Sequence, residues 1–259
     1  MTCKAVFILV PGAWHSASTW DKVASLLVEK GHTAIAVTLP STSGDPAATF
    51  GDDVAHVRGL ILTEVSQGHQ VIVVVHSYGG LVGESAVRDV PTASHPSPDT
   101  AQGKVIGLAL MATGFNVTNM SFIDGIGGQP PPIWRADEES GFVVFTEGTD
   151  PAELFYHDLP TDEEKQHWVS KLTKQSVKSL FEGREHSYSG WQDVPSWVLM
   201  TTKDRGLPVE AQKMMIQTAL DAGASVETRE IESGHSPMLS HPEETASFLV
   251  EAATDLAGG

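Results

Sequence analysis

The stretch VIVVVHSYGG, residues 71–80, decides how this chain is read. Its five consecutive β-branched residues describe a strand buried on both faces, and the glycines that follow let a helix begin almost at once. Between strand and helix stands Ser77. A sharp turn there exposes the hydroxyl at the carboxyl end of a sheet and aims the N–H groups of the helix N-terminus at the reacting atom. Taken alone, the motif equally fits an ordinary turn in which serine caps the helix. One residue is irregular: two places before the serine, where such elbows carry a small side chain, stands Val75. Compensating room is expected from Gly79 and Gly80 on the helix side.

Working outward, β-rich runs alternate with amphipathic segments, the pattern of parallel βα units. Strands are expected at residues 5–10, 33–39, 70–75, 105–112, 196–202 and 225–231. Helices are expected at 18–30, from Phe50, from Gly79, at 209–222 and at 242–256. Phe50, Val54, Val57, Ile61 and Val65 lie at helical spacing, and Gly31 and Gly68 suit helix ends. The alternation lapses over residues 113–194, where Thr161 with Glu164 suggests the capped start of a short helix. Ser240 with Glu243 suggests the same for the last helix. The expected architecture is an α/β fold with a mostly parallel, doubly wound sheet. Residues 1–112 and 195–259 form its core, and residues 113–194 form an inserted helical lid.

A chain of 259 residues can bury one sizeable core. Its formal net charge of −17 argues against nucleic acid or an anionic membrane as partner, since both require clustered Lys and Arg. Cys3 is the single cysteine, so no internal disulfide can form. The apolar run at residues 5–10 is too short for a signal-peptide core, and no run approaches the roughly 18 residues that span a bilayer. A cytoplasmic location is expected, in which the sequons at Asn116 and Asn119 carry no meaning. The eleven histidines show no metal-binding spacing, so no metal is expected. Monomer and homodimer both stay open.

A serine hydroxyl needs a base to take its proton and donors to hold the resulting oxyanion. After the strand at 196–202 comes TTKDRGLP, which puts Asp204 just past its end. After the strand at 225–231 comes ESGHSPM, which puts His235 just past its end. Groups beyond the carboxyl ends of strands are those that face a ligand in an open α/β sheet. Ser77, Asp204 and His235 occur in the order nucleophile, acid, base of a hydrolase triad, with Asp204 orienting the His235 imidazole. The oxyanion donors are expected to be the backbone N–H groups of Tyr78 and Ala13, the latter on the loop PGAWHS, where Gly12 lets the backbone approach. His76 points away from the serine side and reads as structural. His15 either lines or braces the oxyanion loop. Trp14, Trp134, Phe155, Tyr156 and Trp168 are candidates for an apolar pocket wall, with Gly12 and His15 beside them.

The segments ILVPGAWHSASTWDKVASLLVEKGHTAIAVTLP, VVVHSYGG, TTKDRGLPVEAQKMM and ESGHSPML resemble α/β-hydrolases of the plant methylesterase and hydroxynitrile lyase type. The resemblance spans the core and is weakest in the lid. It implies the α/β-hydrolase fold, the triad Ser77–Asp204–His235, donors at Ala13 and Tyr78, and no metal or organic cofactor. The lyases of that group carry threonine at the position of Gly12 and lysine at that of Ser236, so the resemblance favours the esterase side. The expected activity is hydrolysis of a small, largely apolar carboxylic ester or lactone through an acyl-enzyme. It should fall as pH drops through the histidine range, near ~6.5 for an ordinary imidazole. A lyase acting through the same triad and a non-catalytic small-molecule receptor are the rival readings.

Overall fold

The computed structural model describes residues 4–98 and 103–258; Cys3 and residues 99–102 lie outside the described residues. The run VFILV becomes β1 (Val6–Val10), with every side chain buried. A 3-10 turn leads to α1 (Asp21–Glu29), and Gly31, at φ 88°, takes the left-handed conformation that ends a helix. Next come β2 (Thr33–Ala36) and α2 (Phe50–Ser66). The helix α2 buries the expected stripe and opens on a reciprocal Thr49–Asp52 capping box. The decisive stretch forms β3 (Gln70–His76), and α3 (Gly79–Ala86) follows after two residues. Strand β4 (Lys104–Met111) closes this half.

The segment between β4 and the next core strand is less helical than expected. It holds α4 (Phe122–Gly125), β5 (Trp134–Asp137), β6 (Phe142–Phe145), α5 (Pro151–Phe155), α6 (Asp162–Ser170), β7 (Gln175–Ser176) and α7 (Val177–Phe181). The strands pair antiparallel as a small β5–β6–β7 sheet, with Gly141, at φ 71°, turning the chain between β5 and β6. The Thr161 hydroxyl caps α6 by accepting from the Glu164 N–H at 3.2 Å.

Core order resumes with β8 (Ser196–Thr201), α8 (Val209–Asp221), β9 (Val226–Ile231), the short α9 (Pro237–Ser240) and α10 (Pro242–Gly258). Ser240 does not cap α10. It closes α9, and its hydroxyl donates back to the Ser236 carbonyl at 3.3 Å. The main sheet runs β2–β1–β3–β4–β8–β9, and every neighbouring pair is parallel. The chain steps from β1 to β2 on one side, then returns to lay β3 on the other. The sheet therefore reverses its winding between β1 and β3, the place where such sheets open a ligand crevice. The loop after β1 and the elbow after β3 meet there.

Candidate active site

Ser77 occupies the turn between β3 and α3 at φ 52°, a left-handed conformation that a non-glycine residue holds only under constraint. Three hydrogen bonds impose it. The Ser77 N–H donates to the Met111 carbonyl at 3.3 Å, and the Ser77 carbonyl accepts from the Gly80 N–H and the Thr113 hydroxyl, both at 2.8 Å. Gly79 must lack a side chain: a Cβ there would stand 2.7 Å from the Val10 carbonyl oxygen and equally hard against that of Pro11. Gly80 is pressed against Thr113. Neither makes room for Val75. That role falls to Gly83, one turn further along α3, where a Cβ would run into Val75 Cγ1. The elbow tolerates valine because the facing helix is hollowed at position 83.

Asp204 and His235 stand beyond β8 and β9 as expected. His235 Nδ1 lies 2.9 and 3.0 Å from the two Asp204 carboxylate oxygens, with both side chains buried. The remaining Asp204 lone pairs accept from the N–H groups of Gly206 at 2.7 Å and Leu207 at 2.8 Å and from the Thr201 hydroxyl at 2.9 Å. Burial alone would raise the Asp204 carboxyl, but the facing His235 and these hydrogen bonds hold it below its ordinary value. An Nδ1–H committed to this carboxylate leaves Nε2 as the free basic nitrogen of His235. Ser77 and His235 share the wall of one cavity of about 350 Å³, together with Trp14, Trp134 and Phe155. Trp14 at φ 61° and Ala112 at φ 50° line the same cavity, so three of the five left-handed non-glycine residues among those described converge there.

The two other histidines nearby are tied into the surrounding backbone and side chains. His76 is fully buried, and its Nε2–H donates to the His235 carbonyl at 2.8 Å, tying β3 to the histidine loop. Burial, reinforced by the neighbouring His235 and His15, keeps it neutral with a pKa well below the usual imidazole range. His15 Nδ1–H donates to the Ala13 carbonyl at 2.7 Å, and its Nε2 accepts from the Tyr156 hydroxyl at 2.8 Å. Burial pulls its pKa down to about 4 despite that carbonyl, so it too is uncharged. His15 and Tyr156 therefore brace the loop after β1 and are not among the residues lining the pocket. Gly12 does not line the pocket either. It backs onto the elbow, where a Cβ would meet Ser77 Cβ at 2.9 Å and His76 Nδ1 at 3.0 Å. Trp168, half-buried on α6, stands with its ring edge-on to His167 and packs on the apolar core without lining the cavity that Ser77 shares with His235.

The loop and cap hydrogen bonds of the described residues leave the Ala13 and Tyr78 N–H groups without an acceptor, while fixing the backbone on either side. Sequence reading missed the network beneath them. The Trp14 N–H donates to Gln175 Oε1 at 3.3 Å, and Gln175 Nε2 donates to the Ser41 hydroxyl at 3.0 Å. Ser41 donates to Asp53 Oδ2 at 2.6 Å, and the Tyr78 hydroxyl donates to the same oxygen at 2.7 Å. The fully buried Asp53 thus links the loop after β1 to the elbow after β3. Burial pushes its carboxyl up to about 6, against the hydrogen bonds that favour the anion. Its signal was present: position 53 falls on the apolar stripe of α2, between Phe50 and Val57, where a carboxylate needs buried partners. Asp158 was also missed. It accepts from the Gly234 N–H at 2.7 Å and so holds the residue before His235.

Against this geometry, the model of the alpha/beta hydrolase family matches residues 7–248. The chain belongs to the alpha/beta hydrolase family. It is 26% identical over 252 residues to an alpha/beta hydrolase of Aspergillus novofumigatus, covering 96% of this chain and 97% of the relative. To methylesterase 1 of Arabidopsis thaliana it is 25% identical over 269 residues, covering 96% of each. Among solved structures, a pyrethroid hydrolase from Sphingobium faniae JZ-2 superposes with a TM-score of 0.75 at 19% identity, covering 98% of this chain and 99% of that one. That last likeness speaks for the fold. The alpha/beta hydrolase assignment agrees with the order β2–β1–β3–β4–β8–β9 and with a serine at the β3 elbow. Among the described residues no helix is long and apolar enough to cross a membrane, and no group of three or more His, Cys, Asp or Glu is placed to hold a metal ion.

Proposed function

We propose that this chain is a serine esterase that hydrolyses an apolar carboxylic ester or lactone. Support comes first from one arrangement: a serine held at φ 52° in the wall of a cavity whose other wall carries a histidine on a buried carboxylate. Ser77 Oγ adds to the substrate carbonyl carbon while its proton passes to His235 Nε2. Asp204 stabilises the imidazolium that forms. The negative oxygen accepts from the Ala13 and Tyr78 N–H groups, each donor of this kind contributing on the order of 10²–10³ in rate. His235 then protonates the departing oxygen, and a water molecule, again deprotonated by His235, releases the acid. The segment over the crevice acts as a lid that excludes solvent.

The lyase reading has less support. A threonine at position 12 would have to displace Ser77 Cβ, and position 236, which carries lysine in the lyases the chain resembles, holds a buried serine. Assaying the purified protein against p-nitrophenyl butyrate, a γ-lactone and a cyanohydrin separates the readings. Ester or lactone turnover without cyanide release is expected. Cyanide release alone, or tight binding without turnover, would overturn the esterase reading in favour of the lyase or the receptor.

A further inference from the structure

Ser77 stands where two apolar cavities meet. The smaller, about 350 Å³, is the one it shares with His235, and Leu154, Phe155 and Leu207 close its far side. The larger, about 540 Å³, adjoins it between α3, residues 113–126 and α8. Its walls include Leu81, Phe115, Met120 and Trp191, and it does not reach His235. Both lie in the size range of small-molecule sites. In a chain with 16 Lys and Arg and 33 Asp and Glu, none of these lines either cavity among the described residues.

The polar side chains of the larger cavity are largely spent on the protein itself. Thr113 donates to the Ser77 carbonyl, Asn116 to the Leu81 carbonyl, Ser189 to the Asn116 carbonyl and Thr218 to the Met214 carbonyl. Ser121 bonds Asp124. An acyl group carrying charge would therefore lose its hydration there and gain little in return. At the rim, Val117, Ile126 and Met214 are exposed, three of the six large apolar residues that are so among those described. Their grouping along one cavity is what an apolar ligand-binding surface would show.

Chemistry decides which part of an ester each cavity takes. When the tetrahedral intermediate collapses, the bond between the carbonyl carbon and the leaving oxygen breaks, and the proton taken from Ser77 passes from His235 to that oxygen. The leaving oxygen must therefore lie within reach of His235, which favours the cavity that His235 lines for the alcohol. What stays bonded to Ser77 Oγ is the acyl group, and the cavity that Ser77 lines without His235 is the place for it. We infer that the substrate is an ester of an uncharged, bulky apolar acid, a long alkyl or arylalkyl acyl limb seated between α3 and α8, with a smaller alcohol beside His235. This rests on the esterase reading above.

Two isomeric esters, ethyl decanoate and decyl acetate, carry the same atoms and differ only in which limb is large. The kcat/KM for ethyl decanoate should exceed that for decyl acetate by at least tenfold. Thr218→Trp, an exposed position on α8 in the wall of the larger cavity, should lower the ratio of ethyl decanoate to p-nitrophenyl acetate turnover at least tenfold. Leu154→Trp should instead depress turnover of decyl acetate. Equal turnover of the isomers, preference for decyl acetate, or an unmoved ratio in Thr218→Trp would overturn the assignment while p-nitrophenyl acetate hydrolysis left the esterase reading standing. Loss of turnover on all three esters by the folded native protein would overturn both.

Discussion

Gly83→Ala asks whether the valine in the elbow is housed as described. The added methyl would enter the space of Val75 Cγ1, with Val73 Cγ1 next at 3.1 Å, and both valines are fully buried and cannot swing aside. Overpacking a sealed core in this way costs about 1–3 kcal/mol. Alanine's better helix propensity returns about 1 kcal/mol, leaving a net loss of about 0–2 kcal/mol. Val75→Ala removes two methyl groups at about 0.8 kcal/mol each and leaves a cavity, together about 2–3 kcal/mol. In the double variant the methyl added at position 83 moves into the volume that Val75 vacates. Its destabilisation should then fall short of the sum of the single values by about 1 kcal/mol or more. Urea unfolding of the four proteins gives this coupling directly. Additivity within about 0.3 kcal/mol would show that positions 75 and 83 do not contact and that the elbow finds its room elsewhere.

Three further outcomes follow from the site. Asp53 binds its proton more tightly in the folded than in the unfolded chain, so the group lowers stability as pH rises from about 4 to about 6. A carboxyl pushed from 3.8 to about 6 corresponds to a loss of about 3 kcal/mol, fully developed above pH 6. Asp53→Asn should flatten that part of a stability–pH curve, and an unchanged slope would refute the reading of Asp53. Gly12→Ala forces the oxyanion loop away from Ser77 Cβ. A displacement of several tenths of an ångström there should lower kcat/KM of the folded variant about 10-fold to 100-fold, and native activity in steady-state assays would count against the loop's role. Tyr156→Phe removes the hydroxyl that braces His15. It should lower kcat more than it raises KM, whereas a change in KM alone would return Tyr156 to the pocket wall.

Much of this arrangement was legible in the sequence because the relevant signals are local. The β-branched runs, the glycines after Ser77, and Asp204 and His235 just past later strands are each readable within a few residues. The core strands fall within a few residues of expectation, since burial on both faces leaves a continuous apolar run. What stayed hidden depends on residues distant in the chain. Gly83 matters only because Val75 faces it across the β3–α3 packing. Gln175 matters only because the chain returns from the small sheet to meet Trp14 and Ser41. Trp168 was misjudged because aromatic character alone cannot distinguish a ring in the cavity wall from one that packs on the core without entering it. The lid was expected to be helical because its strands are short and its periodicity is broken by turns.

The central claim is that Ser77 is a nucleophile activated by His235. Treating the native protein with a fluorophosphonate probe and locating the adduct by mass spectrometry tests it most directly. Stoichiometric labelling of Ser77 is expected, absent in Ser77→Ala and slowed about 100-fold or more in His235→Ala. A folded native protein that takes up no label, or labelling that is undiminished in His235→Ala, would contradict it.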